Sequence, residues 1–282
     1  AYTVAGCDYA YGQAWEAPTT YTGSIGFNKV AGTGIPYPPK WTVFPAYPAP
    51  PLVAGTPWNV PSTDIRKTWC WDANVNGTEV PGCDAEVGNL ASRVPWDVDV
   101  RTQEPSFTTI GNNAQAAEAW VNPPTVVFGN LTPGGTNYRP VSPARNYSYP
   151  WVNAWYSASC DPASLVPGVG VDIAAATTNL FAMHNRMHDW AYNLGLTEEN
   201  WNAQMANFGN GGAQGDPVIG DVQAGAVSGG APAYGGRDNA NMLTLPDGVP
   251  PITNMYLWQP LRGAFYAPCV DGDYDMAIIG HE

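Results

Sequence analysis

The chain has 282 residues, and its 24 acidic residues outnumber its 11 basic ones, which gives a formal net charge of −13 at pH 7. Nucleic acid and anionic membrane surfaces both repel such a charge, so neither is expected as a partner. No run of about 18 or more apolar residues occurs, so no membrane span is expected, although the apolar fraction of 44% suffices for a sizeable core.

The start of the chain and its cysteines indicate a processed, secreted protein. The sequence opens on Ala1 with no initiator Met and no signal-peptide pattern, which predicts a mature product. Five scattered cysteines without a CxxC pair argue against a cysteine zinc site and for disulfides. Cys70 and Cys83 can close a short loop, and the odd count leaves one thiol unpaired or paired outside this chain.

The first half of the chain is irregular and rich in turns. Residues 1–95 contain many Pro and Gly and only short β-like runs, and we interpret them as an N-terminal extension that leads into the main domain. Residues 96–170 continue with short strands and turns, which predicts a β-rich layer. The sequence therefore predicts two regions, 1–95 and 96–282, of which the second is the main domain.

A long helix is predicted after Asp172. Asp172 can cap its first turn, and Gly195 lies where a helix-ending glycine belongs. Apolar residues recur at steps of three and four, which predicts a buried stripe. These residues are Leu180, Met183, Met187, Trp190 and Leu194.

Three further elements follow the long helix. Thr197 before Glu198 and Glu199 predicts a second, short helix. The segments NMLTLP and ITNMYLW predict two strands around a turn at Asp247-Gly248. The last apolar run, Met276 to Ile279, is compatible with a strand or with the first turn of a helix, because periodicity cannot decide over so few residues.

Acidic residues alternate just before this last run. Asp271, Asp273 and Asp275 flank Gly272, a pattern that can bind Ca²⁺, but the full EF-hand spacing is missing. A solvated acidic turn is therefore the favoured interpretation. Asp216, Asp221 and Asp238, in and after the Gly-rich stretch, raise the same calcium alternative more weakly.

Only three histidines are available for metal chemistry. His184 and His188 stand one helical turn apart, but Asn185 occupies the place that the general base Glu holds in H-E-x-x-H. A core or core-edge pair is therefore favoured for these two over a metal site. His281-Glu282, in contrast, follows an apolar run of the kind that the buried side of an active-site helix needs.

Several segments in order resemble the fungalysin-type secreted metallopeptidases, which are thermolysin-like zincins. The resemblance is carried by NLFAMHNRMHDWAYNLGLTEENWNAQMANFGNGG, by GDPVIGDVQAGA, by GRDNANMLTLPDGVPPITNMYLW and by DGDYDMAIIGHE. The match extends over residues 40–282 and is specific from residue 179 onward. It implies an α+β fold, with a thermolysin-like N-terminal β-rich lobe, a long helix and the start of the active-site helix.

The resemblance also implies roles for particular residues. His281 would be the first zinc (Zn²⁺) ligand and Glu282 the catalytic base, while the second His and the ligand Glu would lie beyond Glu282. Asn239, Ala240 and Asn241 would lie on the edge strand that pairs with an extended peptide through backbone groups. For this tripeptide a simple turn or strand end is the alternative.

These implications lead to one leading hypothesis and two rivals. The leading hypothesis is a secreted, extracellular zinc endopeptidase that cleaves protein or peptide substrates with a zinc-activated water and the Glu base. This chain would hold only part of the site, and its own C-terminal fragment would be a partner if the protein is nicked. One rival is a non-catalytic extracellular binding or structural module that retains the protease fold. The other is a carbohydrate-binding β-protein, suggested by 12 Trp and 15 Tyr.

Overall fold

The computed structural model describes residues 39–44, 64–71, 82–87, 94–121, 138–165, 172–228, 230–232, 234–261 and 268–282. The strands are β1 (Lys40–Val43), β2 (Lys67–Trp71), β3 (Ala85–Val87), β4 (Val98–Asp99), β5 (Glu104–Pro105), β6 (Ala114–Glu118), β7 (Asn146–Tyr147), β8 (Val218–Val222), β9 (Ala240–Leu243), β10 (Ile252–Met255), β11 (Leu257–Trp258) and β12 (Val270–Asp271). The α-helices are α1 (Ala154–Ser157), α2 (Ile173–Asn193) and α3 (Met276–His281). Short 3-10 turns occupy Pro162–Ser164, Glu198–Asn200, Tyr234–Gly236 and Gly272–Tyr274. The predicted α+β class is confirmed.

The sheet that carries the candidate site has the strand order β6-β8-β10-β9. Strands β6, β8 and β10 run parallel, whereas β9 runs antiparallel to β10 and forms one edge. The predicted pair of strands is confirmed as β9 and β10, with Leu243 opposite Ile252. Gly248 lies in the connection with a φ of +85°, which is a conformation that favours glycine.

Helix α2 packs across this sheet and forms the centre of the core. Its residues are buried on nearly all sides as far as Asp189, so it is a core helix and not a surface helix with one apolar stripe. Leu180 and Met183 are fully buried as predicted, but Leu194 is 69% exposed because it lies beyond the end of the helix. The predicted burial of Leu194 is therefore wrong.

The two ends of α2 differ in how far they agree with the capping residues predicted from the sequence. Gly195 adopts a φ of +103°, and its N–H donates to the carbonyl of Tyr192 while the N–H of Leu196 donates to that of Ala191. These two bonds complete a Schellman ending, so the glycine signal is confirmed. The side chain of Asp172 makes no capping bond, because its carboxylate accepts from the N–H groups of Val152 and Ala154 instead.

The helix and the sheet approach each other most closely at Gly220 of β8. A Cβ atom at this position would lie 2.9 Å from both Cε1 of His184 and Cδ2 of Leu180. Only glycine therefore allows β8 to pack against α2 at this distance, and the contact fixes the position of the sheet on the helix.

A second sheet, with the order β3-β2-β1-β7, completes the same core. The indole of Trp41 in β1 lies 4.8 Å from that of Trp96 between ring centroids. Beside them, a buried ion pair joins Arg145 to Asp97, which also accepts from the hydroxyl of Tyr147. The strands from before residue 95 thus share one hydrophobic core with the elements after it.

Two disulfides connect distant parts of the chain. The predicted pair Cys70–Cys83 is confirmed, and a second bond joins Cys160 to Cys269, 109 positions apart. Cys7 lies outside the described residues. Within the described ranges, no helix combines the length and the apolar composition that crossing a membrane requires.

Candidate active site

The run Met276 to Ile279 is helical, and a side-chain cap is the reason. The carboxylate of Asp275 accepts from the N–H groups of Ala277 and Ile278, at 2.9 and 3.3 Å. These are backbone donors that a helix start leaves without partners, so Asp275 fixes the start of α3. Met276 and Ile279 are buried one turn apart, whereas Ala277 and Gly280 are exposed. The structure thus decides between the strand and the helix that the sequence left open.

His281 and Glu282 stand at the end of α3. His281 is exposed, so its imidazole can reach a ligand, and Glu282 is partly buried. The N–H of Glu282 donates to the carbonyl of Ile278 at 3.2 Å, which continues the helical hydrogen bonding. The positions of His281 and Glu282 are therefore set by a capped and partly buried helix.

The metal-binding capacity of the described residues is limited. Nowhere among them do three His, Cys, Asp or Glu side chains gather into a group that would hold a metal ion. Zinc sites in proteins need three or four ligands. His281 therefore fits as one exposed ligand, and the others would have to come from elsewhere.

The acidic segment before α3 is buried, so the predicted solvated turn is wrong. Asp273 is fully buried and Asp271 is 8% exposed. Asp271 accepts from the side-chain amide of Gln223 and from the N–H of Asp273, whose own carboxylate accepts from the N–H of Gln223 at 2.9 Å. Burial raises the pKa of both carboxyl groups, and the neighbouring charge of Asp271 raises that of Asp273 further.

Two of the other acidic residues that raised the calcium alternative, Asp216 and Asp238, accept hydrogen bonds from backbone groups. Asp216 accepts from the N–H groups of Gln204 and Gly248, and Asp238 accepts from that of Gln259. These carboxylates stabilise loops next to the sheet.

The tripeptide Asn239-Ala240-Asn241 lies at the start of the edge strand. Asn239 is exposed just before β9, while Ala240 and Asn241 belong to the strand and pair with Met255 and Asn254. In the described part of the chain, β9 has a strand neighbour on one side only. Its outer backbone edge is the kind of surface that an extended peptide can join.

Tyr256 holds this edge strand from the segment that follows β10. The hydroxyl of Tyr256 accepts a hydrogen bond of 2.6 Å from the side-chain amide of Asn241. Burial, and then the charges of Asp221 and Glu282, raise the pKa of Tyr256 to about 12. The phenol is therefore a neutral acceptor for the side chain of Asn241.

His184 and His188 are core residues, as predicted. Burial lowers the pKa of His184 to about 4, and its Nε2 lies 3.1 Å from the hydroxyl of Thr253 on β10. His188 is buried and stacks on Tyr192 with ring centroids 6.2 Å apart. Both side chains are buried in the core, which agrees with a structural role.

Sequence reasoning missed Tyr256 and the Asp271–Asp273 pair. The signal for Tyr256 was its spacing, because residues two apart in a strand, such as Asn254 and Tyr256, point to one face of a sheet. The pair of buried acids carried no local signal, since isolated Asp residues in a Gly-containing turn are usually exposed.

Comparisons of the sequence with known proteins indicate one family. A family model described as fungalysin metallopeptidase (M36) matches residues 73–282. Extracellular metalloproteinase 3 of Arthroderma gypseum is 33% identical over 77% of this chain, and extracellular metalloproteinase mep of Aspergillus flavus is 34% identical over 80% of it. An extracellular metalloproteinase 3 of Trichophyton soudanense is 32% identical. The matched regions span 29%, 34% and 46% of these relatives, so the chain covers less than half of their lengths. The chain belongs to the fungalysin family of metallopeptidases.

Proposed function

We propose that this chain carries the N-terminal β-rich lobe and the start of the active-site helix of a secreted zinc endopeptidase. The observation that carries the proposal is the match of residues 73–282, in which His281 and Glu282 end a helix capped by Asp275, to the fungalysin family. The edge strand β9 supports it, because a peptidase must hold an extended peptide beside its catalytic base.

Each residue of this site has a proposed role. His281 is the first zinc ligand and Glu282 the general base that takes the proton from the attacking water. Zinc, when bound, supplies Lewis-acid chemistry that activates a water and polarises the peptide carbonyl. Residues 96–282 form the main part of the lobe, and the strands β1 and β2 from residues 1–95 contribute to its core. The second His and the ligand Glu follow Glu282, either in the same polypeptide or in a C-terminal fragment that stays bound.

Substrates would bind as extended peptides along β9. The backbone groups of Asn239, Ala240 and Asn241 would pair with protein or peptide substrates as an added strand. The side chain of Asn241 is already held by Asn254 and Tyr256, which supports recognition through the backbone. Calcium is not part of the proposal, because no group of metal-binding side chains is found among the described residues, and Asp216, Asp238 and Asp273 already accept hydrogen bonds.

Secretion is supported by two independent observations. Disulfides such as Cys160–Cys269 form and persist in oxidising compartments. The relatives named above are called extracellular metalloproteinases. We therefore propose that the working protein is extracellular.

The first measurement is the intact mass of the natural full-length protein under denaturing and reducing conditions, which defines the polypeptides present. Zinc content and peptide hydrolysis are then compared between the wild-type protein and its variants. Glu282→Gln should retain zinc and lose hydrolysis by roughly 10²- to 10⁴-fold, and His281→Ala should lose zinc as well. Glu199→Gln, which alters an exposed carboxylate, is the matched control. Unchanged hydrolysis in Glu282→Gln would overturn the assignment. Zinc binding and peptide binding without any hydrolysis in the wild-type protein would favour the non-catalytic module instead.

A further inference from the structure

Three side chains on the face of the sheet opposite α2 form a continuous hydrogen-bonded chain. The side-chain amide of Asn254 donates to Oδ1 of Asn241 at 2.9 Å, and Nδ2 of Asn241 donates to Oη of Tyr256 at 2.6 Å. Asn241 and Asn254 are direct cross-strand partners, and Tyr256 follows two residues later on the same face. This series of hydrogen bonds therefore runs from Asn254 in β10 to Asn241 in the edge strand, and from there to Tyr256 just after β10.

Burial makes these hydrogen bonds costly to break. Asn254 and Tyr256 are only 5% and 1% exposed, so water cannot readily replace either partner of Asn241. Burial raises the pKa of Tyr256 to about 12, so its phenol is neutral near pH 7. Its oxygen can therefore accept from Asn241 without carrying a charge of its own.

The edge strand needs such a restraint more than its neighbours do. Strand β10 is held by β8 on one side and β9 on the other, whereas β9 is held by β10 alone among the described strands. A peptide that adds to β9 requires a fixed position and twist of this strand, since a displaced strand would weaken the backbone pairing along the whole peptide.

We infer that Asn241 and Tyr256 form a positioning clamp that fixes the edge strand β9 for the binding of extended peptides. Neither residue touches the reacting atoms, so both act through the backbone of β9. The inference rests on the proposed function and deepens it, because it names what holds the substrate-binding strand in place.

The clamp makes a prediction that a merely structural role does not share. Peptides long enough to pair along several residues of β9 depend on its position, whereas a short, blocked peptide that spans only the cleaved bond does not. Tyr256→Phe should therefore raise KM for a long peptide by about tenfold, which corresponds to one lost buried hydrogen bond. The value of kcat, and kcat/KM for the short peptide, should change by less than about twofold.

The test uses Tyr256→Phe, Asn241→Ala and the double variant in the full-length protein, with Tyr156→Phe as control because Tyr156 is exposed on α1. The double variant should be no worse than Asn241→Ala alone, because Asn241→Ala already removes the bond to Tyr256 as well as the bond from Asn254. An equal loss on long and short peptides, or additive losses in the double variant, would overturn the clamp.

A second measurement keeps the clamp separable from the proposed function. Amide hydrogen exchange in Glu282→Gln, with and without Tyr256→Phe, should show faster exchange confined to Ala240–Leu243 while β8 stays unchanged. Unchanged exchange in β9 would refute the clamp whatever the activity. If the wild-type protein cleaves neither peptide, the proposed function fails, and exchange in β9 still decides whether the clamp exists.

Discussion

At the scale of single residues, the buried carboxyl pair Asp271 and Asp273 is expected to make stability depend on pH. Both side chains are fixed by Gln223, which has a φ of +49° at the end of β8. The carbonyl of Asp273 also accepts from the side-chain amide of Asn179 on α2 at 2.7 Å. The pair therefore ties the start of α3 to the sheet and to the long helix.

The sign of its pH dependence follows from the raised pKa values. A carboxyl whose pKa is raised in the folded state stabilises that state fully below its unfolded pKa of about 3.9. The advantage is lost as pH rises through the folded pKa, because the unfolded chain ionises freely while the buried pair does not. His184 acts in the opposite direction, since its lowered pKa destabilises the fold as pH falls from about 6.5 toward about 4.

We therefore expect Asp273→Asn to be more stable than the wild type at pH 8, by on the order of 1–3 kcal/mol. The neutral amide can replace the protonated carboxyl, and the gain should shrink toward zero near pH 4. Urea unfolding of both proteins across this range measures the difference, in which the contribution of His184 cancels. Glu104→Gln, at an exposed carboxylate, should show no such trend. A loss of stability at pH 8 that equals that at pH 4 would contradict a proton held by the pair.

At the scale of elements, two glycines allow a matched comparison of packing against helix propensity. Gly220 in β8 has no room for a Cβ atom, whereas one at Gly280 in α3 would make only ordinary contacts of 3.6 Å with Met187. Alanine at Gly220 should cost about 1–3 kcal/mol of unfolding free energy, because the core must move. Alanine at Gly280 should add up to about 1 kcal/mol, because alanine favours helices.

Thermal unfolding followed by circular dichroism measures both variants under the same conditions. The expected result is a lower Tm for Gly220→Ala and an unchanged or higher Tm for Gly280→Ala. Equal tolerance of alanine at both positions would show that α2 and β8 are not packed as closely as described.

The elements also show what the sequence could and could not predict. Gly195 and the turn at Gly248 were predictable, because a positive φ is a local requirement that glycine meets. The role of Asp172 was not, since its carboxylate is taken by Val152 and Ala154, which come together with it only in the folded chain. The helical state of Met276–His281 likewise depended on a cap at Asp275 that the pattern of apolar residues does not reveal.

The candidate site also has parts that the sequence could predict and parts that it could not. His281, Glu282 and the edge-strand tripeptide were predicted from the order of motifs along the chain. The hydrogen bond between Asn241 and Tyr256 was not, because it forms through the fold and not through spacing along the chain. The family resemblance thus proposed the parts, and tertiary packing determined which side chains face each other.

At the scale of the whole molecule, the two disulfides differ in what they restrain. Cys70–Cys83 closes a loop of 13 positions next to β2, whereas Cys160–Cys269 closes one of 109 positions. Cys269 lies directly before β12 and the turn that leads into α3, and Trp155 of α1 donates to the carbonyl of Trp258 nearby at 2.8 Å. The second bond therefore anchors the segment that carries the candidate site to the region around α1.

Removing the long-range bond should consequently cost more than removing the local one. The entropy of loop closure predicts a loss of about 4–5 kcal/mol for Cys160→Ser with Cys269→Ser, against about 3 kcal/mol for Cys70→Ser with Cys83→Ser. Urea unfolding gives both values, and hydrogen exchange should report faster opening of Met276–His281 only in the first variant. A larger loss in the Cys70/Cys83 variant, or undisturbed exchange in α3 without the Cys160–Cys269 bond, would mean that noncovalent packing alone holds α3. Faster exchange in α3 only without the Cys160–Cys269 bond would show that this covalent bond helps to hold the helix that ends at His281.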